Sequence, residues 1–201
     1  MTLGMPRIKL RPIEEVRWDL KRILDKGPKV VSLHIETPLA KEVKSMVAGC
    51  FELLVAELLS HKLRLGDITY DELINPPCIK WNGKVFNETP VMASTGLPDI
   101  EAYPNRDEAL IVDVSLSSRK EVLIAELKRL RTHNPSLCVT KIKRIFVAPH
   151  ISVKVNNNIK LVEIGSSVKG KTMREPKLSY YRVIEKRIHS IISNSPLNYD
   201  C

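Results

Sequence analysis

The chain has 201 residues, 43% of them hydrophobic and 27% charged, which is enough to bury one substantial core in a single domain. Its longest apolar stretch, Phe51 to Leu59, is broken by Glu52 and Glu57, and Met1 to Leu10 lacks the apolar centre of a secretory signal, so a cytoplasmic protein with no membrane partner is expected. Four cysteines and five histidines stand far apart without HExxH spacing, and eight glycines form neither GxxxxGK[ST] nor GxGxxG, which argues against zinc enzymes, kinases, ATPases and dehydrogenases.

In chain order, apolar residues at Ile13, Val16, Leu20, Ile23 and Leu24 predict an amphipathic helix over Pro12 to Asp25, closed by Gly27-Pro28. Lys29 to Glu36 is too short to classify, and Pro38 opens a second, mostly buried helix over Leu39 to Lys62. The run DITYDEL reads as a turn or short helix, and IKWNGKVF (79–86) as a hairpin about Asn82-Gly83. A second hairpin-like unit follows: PDIEAY as a strand, Pro104 to Glu108 as a polar loop, and ALIVDVSL as a central strand. Ser117-Ser118 can cap a helix from Arg119 to Thr132, which Asn134-Pro135 stops. RIFVAPHI reads as a strand, VKVNNNIKLVEI as strand-turn-strand, and Leu178 to Ile192 as a closing helix. The order α, α, β, β, β, α, β, β, α predicts an α/β fold, a central mixed sheet flanked by helices.

The charge is unevenly placed. Residues 1–118 carry 15 Lys+Arg against 17 Asp+Glu, a balance of −2, whereas residues 119–190 carry 17 against 5, a balance of +12. A basic half of this kind is the electrostatic footprint expected for a polyanion, although basic ribosome-associated and thermophile proteins share it.

Three acids sit among apolar residues. Asp113 shares one face of its strand with Ile111 and Ser115, and a carboxylate buried there needs a counter-ion, a hydrogen-bond network or a metal. Asp99, fourteen residues earlier on the neighbouring strand, can meet it across the ladder. Glu126 falls on the helical stripe of Val122 and Leu130, whereas Glu121 and Lys128 project to the polar side. Three converging carboxylates would form a hard-oxygen site suited to Mg2+, with Mn2+ able to substitute.

The string Gly96-Leu97-Pro98-Asp99-Ile100 followed by LIVDVSL resembles the PD-(D/E)XK nuclease signature, in which two acids lie on adjacent strands and a third residue stands two positions on. More closely, LPDI, LIVDVSLSS, AELKRLRTH and IFVAPHI are similar to AlwI-type (type IIS) restriction endonucleases, over roughly residues 49–151. The resemblance implies a restriction-endonuclease-like fold and Mg2+-dependent hydrolysis of double-stranded DNA to 5′-phosphate ends. Asp99, Asp113 and the Val114 carbonyl would hold the metal, with Glu126 and Glu52 completing the shell. Ser115 occupies the slot of the motif lysine and supplies no charge; Lys120 and Lys128 are the nearest substitutes in sequence, though Lys128 faces outward. For the upstream acid, Gly49-Cys50-Phe51-Glu52 favours Glu52, while the helical wheel sets Glu57 nearer the apolar stripe of Met46, Cys50 and Leu54.

On that reading, residues 1–201 form one nuclease domain: an N-terminal helix and connector (1–38), a catalytic core (39–165) and a basic C-terminal helix (166–201). Lys141, Lys143, Arg144, Lys154 and Lys160 would follow the DNA backbone and set affinity rather than sequence choice. No base-reading motif is visible, and one centre cuts one strand, so a homodimer or a larger DNA-recognition subunit is expected. A structure-directed repair or recombination nuclease, and a non-catalytic nucleic-acid-binding protein, are the alternatives.

Overall fold

The computed structural model describes residues 7–32, 38–70, 75–82, 97–117, 119–154 and 158–164, with the backbone course alone for 26–32 and 38–46. Among these residues the chain runs β1 (Arg7–Ile8), α1 (Ile13–Ser32), α2 (Pro38–Leu63), β2 (Ile68–Tyr70), β3 (Cys78–Trp81), β4 (Ile100–Asn105), β5 (Glu108–Val114), α3 (Lys120–Thr132), β6 (Lys141–Ala148) and β7 (Ile159–Glu163). The expected α/β class is present as a seven-stranded mixed sheet in the order β1-β2-β3-β4-β5-β6-β7. The β2–β3, β5–β6 and β6–β7 pairs are parallel, and the other three are antiparallel. The parallel β5–β6 pair needs a crossover, which α3 supplies. No helix among the described residues is long and apolar enough to cross a membrane.

Alternation along β5 divides the core in two. Leu110, Val112 and Val114 face α1 and α2, packing with Val16, Leu20, Phe51, Leu54, Trp81 and Ile100. Ala109 and Ile111 face the other way, toward Leu123, Leu127 and Leu130 of α3, together with Tyr103 and Phe146. Asp113, in phase with Ile111, therefore looks toward α3. The helix α2 is apolar around most of its circumference because it fills the space between α1 and the sheet. Its fully buried Glu57 is neutralised by Arg11, whose Nε and Nη2 donate to the two carboxylate oxygens at 3.1 and 2.9 Å. Burial opposes the Arg11 charge, but Glu57 and Asp19 outweigh it and hold its pKa above the ordinary value.

Several elements differ from the sequence reading. The helix α1 continues through Gly27-Pro28 to Ser32: the proline forgoes one N–H bond and crowds the carbonyl four residues before it, a cost the helix bears with Val16, Leu20 and Ile23 anchored in the core. Ile68-Thr69-Tyr70 is a strand rather than a turn or helix, held beside β3 with Thr69 Oγ1 donating to the Ile79 carbonyl at 3.0 Å. Gly83 to Phe86, the second arm of the hairpin expected about Asn82-Gly83, lie outside the described residues, and β3 itself is bonded by β2 on one edge and β4 on the other. The polar loop after PDIEAY shrinks to Arg106-Asp107: Pro104 and Asn105 belong to β4, whose register shifts between Ala102 and Asn105. Arg119, not a serine, is the N-cap of α3 and makes no side-chain cap bond. Val153 and Lys154 lie outside any strand, residues 155–157 lie outside the described residues, and Ile159–Glu163 of VKVNNNIKLVEI pairs as β7 beside β6. The expected helix over Leu178 to Ile192 lies outside the described residues.

Candidate functional site

The β4–β5 register matches Ile100 with Val112, which sets Asp99 opposite Asp113 where β4 begins and β5 ends. The two acids are tied reciprocally. The Asp99 amide donates to Asp113 Oδ1 at 3.3 Å, and the Val114 amide donates to Asp99 Oδ2 at 2.7 Å. Asp113 is 1% exposed, a burial that costs a carboxylate several kcal/mol unless it is compensated. Arg129 of α3 offers a counter-charge, its Nη2 lying 3.4 Å from Oδ2, and His133 Nδ1, just after the helix, lies 3.3 Å from Oδ1, an ionic contact only when the imidazole is protonated.

Glu126 joins this group from the middle of α3. Burial pushes its pKa up, a hydrogen bond with the Ser115 side chain and the charge of Arg129 pull it down, and the charge of Asp113 pushes it up again. The net direction is upward. Its Oε2 is buried without a hydrogen-bond partner. Ser115 is buried as well, and its Oγ also accepts from the Ser117 amide at 3.1 Å. Four of the expected residues, Asp99, Asp113, Ser115 and Glu126, are thus brought together at one end of the sheet. Val114 enters through its amide.

The structure places other candidates elsewhere. Glu52 accepts a hydrogen bond from Trp81 Nε1 at 3.2 Å, on the side of the sheet that packs against α2, whereas Asp113 looks toward α3. Glu57, the helical wheel's choice, serves the buried pair with Arg11. Lys120 and Lys128 are both exposed on α3. Arg144 is not a free surface cation: its Nε and Nη2 donate to the carbonyls of Leu130 and His133 at 3.1 and 3.0 Å, closing the C-terminus of α3. Lys143 is exposed but ion-paired with Glu108. Lys141 pairs in register with Glu108, five residues before Asp113 and so roughly 16 Å away along the strand. Lys154 and Lys160 are exposed.

Arg129 and His133 are the site residues that sequence reasoning missed. The signal was available, since positions 126, 129 and 133 recur on one helical face at i, i+3 and i+7. A buried polar network supports them. Glu101, fully buried two residues after Asp99, accepts from Tyr103 OH (2.5 Å), the Ser136 amide (2.9 Å), Ser136 Oγ (2.8 Å) and Asn82 Nδ2 (3.2 Å), with Lys80 Nζ at 3.7 Å. Burial raises the Glu101 pKa, but the bonds from Tyr103 and Ser136 and the charge of Lys80 outweigh it, and the net shift is downward. Tyr103 is shifted the other way, by burial and by the Glu101 it donates to. Ser136 follows His133 by three residues, so this network fixes the segment that carries His133 to Asp113.

Chemically, the cluster is an all-oxygen set beside one guanidinium and one imidazole. Among the described residues no group of three or more His, Cys, Asp and Glu side chains is arranged to hold a metal ion. The place a cation would take at Asp113 is faced by Arg129 and His133. Comparison with protein-family models, with curated proteins and with solved structures finds no match.

Proposed function

We propose that the chain is a Mg2+-dependent DNA endonuclease of the PD-(D/E)XK kind, with a restriction-endonuclease-like core and its active centre at Asp99 and Asp113. The observation that carries this reading is the reciprocal pairing of two acids on adjacent strands, with Glu126 of the following helix beside them. That arrangement agrees with the signature the sequence resembles, in which the acids lie on neighbouring strands.

The donor chemistry suits a hard divalent cation, and the orphaned Glu126 Oε2 is a buried oxygen in want of a partner. Asp99, Asp113 and Glu126, which are not arranged to hold a metal as they stand with Arg129 against Asp113, would hold the ion once that guanidinium gives way, with Mn2+ able to replace Mg2+. Bound there, it would lower the pKa of a water and stabilise charge on the leaving oxygen. Lys154 and Lys160 would follow the phosphate backbone of double-stranded DNA. Since one centre cuts one strand, a homodimer or a larger recognition subunit would complete a double-strand break. A non-catalytic nucleic-acid-binding protein is the second reading, favoured by the Arg129 guanidinium that already faces Asp113 and by the uncharged Ser115.

The test is incubation of supercoiled plasmid and branched DNA with the protein and Mg2+ or EDTA, comparing wild type with Asp113→Asn. The nuclease reading expects cutting by wild type in Mg2+ only. A preference for the branched substrate would make it a structure-directed enzyme, and intact DNA in every arm would leave the binding protein.

A further inference from the structure

Arg129 has an unusual position for a charged residue. Its guanidinium carries five N–H donors but makes one long contact, Nη2 to Asp113 Oδ2 at 3.4 Å, where a charge-assisted pair with a carboxylate would be about 2.7–2.9 Å and commonly bidentate. Arg129 Nε is buried with no partner. One helical turn away, Glu126 Oε2 is buried with no partner too, and the two opposite charges do not close on each other. The side chain is 35% exposed, so it reaches from the buried acid to the surface. The contrast with Arg144, which places two donors on two carbonyls, shows that this region can satisfy an arginine when the role is structural.

We propose that Arg129 is a phosphate-binding side chain held in reserve on Asp113: a divalent cation at the acids takes over the compensation of Asp113, and the released guanidinium binds a backbone phosphate of the nucleic acid. The inference rests on the reading of Asp99, Asp113 and Glu126 as a divalent-cation site. A fork of planar donors suits a phosphate, and Ser115, the side chain hydrogen-bonded to Glu126, carries no charge. Because the cation and the guanidinium compete for one carboxylate, removing Arg129 strengthens cation binding to the protein alone. A merely structural Arg129 predicts the reverse, since its loss would loosen α3 against β5 and scatter the ligands.

The experiment is Mn2+ binding to the full chain without DNA, followed by electron paramagnetic resonance, for wild type, Arg129→Met and Arg129→Lys. An adjacent unit charge shifts a carboxylate's ionic equilibrium by roughly 10- to 1000-fold, so Arg129→Met is expected to bind Mn2+ at least about tenfold more tightly, with Arg129→Lys near wild type. The second readout is affinity for a DNA duplex with Ca2+ present. Wild type is expected to bind roughly tenfold more tightly than Arg129→Met, the worth of a hydrogen bond between charged groups. Should Arg129→Met not fold, Arg129→Gln carries the same comparison. Equal or weaker Mn2+ binding by the variant, or equal DNA affinity in Ca2+, overturns the inference and leaves the cation site standing. If neither protein binds Mn2+, the cation site and the inference fall together.

Discussion

Replacing Glu101 with glutamine keeps the volume and removes the charge at the centre of a fully bonded buried network. The carboxylate accepts from Tyr103 OH and the Ser136 amide on Oε2, and from Ser136 Oγ and Asn82 Nδ2 on Oε1. A glutamine nitrogen in either place sets a donor against a donor, the Ser136 N–H or the Asn82 amide. It also strands Lys80, whose side chain is 7% exposed. A lost bond to a buried charged group costs about 1.5–3 kcal/mol, and breaking a buried ion pair about 3–5 kcal/mol. Because these terms overlap, the expected loss is about 3–5 kcal/mol, which for a chain of this size lowers Tm by roughly 6–20 °C. The assay is urea unfolding followed by circular dichroism at neutral pH. The folded Glu101 pKa lies below its ordinary 4.5, so its ionised form contributes stability that is present above pH 4.5 and is lost as pH falls through the lowered value. The gap between wild type and variant should therefore narrow as the medium is acidified below pH 4.5. A loss under about 1 kcal/mol at neutral pH, or a gap that does not change with acid, would show that the Glu101 charge does not anchor this network.

Glu57→Ala leaves Arg11 without its forked partner, and since Asp19 still pairs with Arg11 at 2.7 Å, we expect the lower end of about 3–5 kcal/mol in the same unfolding assay. Arg144→Gln should destabilise the fold by about 1–3 kcal/mol through the Leu130 and His133 carbonyls while leaving the salt dependence of DNA binding unchanged. Lys154→Ala with Lys160→Ala should do the opposite, sparing Tm and lowering the slope of log affinity against log salt by up to about 1.8. A fluorescence-anisotropy titration in KCl separates the last two.

The sequence disclosed most of the elements because their apolar periods are long and regular, as in Val16-Leu20-Ile23 of α1 and Leu110 to Val114 of β5. It was less informative where tertiary pairing overrides local preference. Ile68-Thr69-Tyr70 becomes a strand because β3 offers an edge, which no local pattern in DITYDEL announces. Buried acids were legible only in part. An acid in an apolar run marked Asp113 and Glu126 well, but the same signal marked Glu57, whose partner Arg11 stands 46 residues away. Glu101 was passed over although it occupies an equally apolar strand, because its partners, Ser136 and Lys80, come from two distant segments. Charge totals also misled in one respect. Arg144 counts toward the basic half, yet it closes a helix.

Whether Asp99 and Asp113 act as one catalytic pair is decided by comparing DNA cleavage in Mg2+ by wild type, Asp99→Asn and Asp113→Asn, each matched for folded fraction by its melting curve. A shared catalytic role predicts 5′-phosphate ends from the wild type and, for both variants, loss of cleavage with the fold kept. Cleavage by either variant at the wild-type rate, or wild-type cleavage that persists in EDTA, would contradict it.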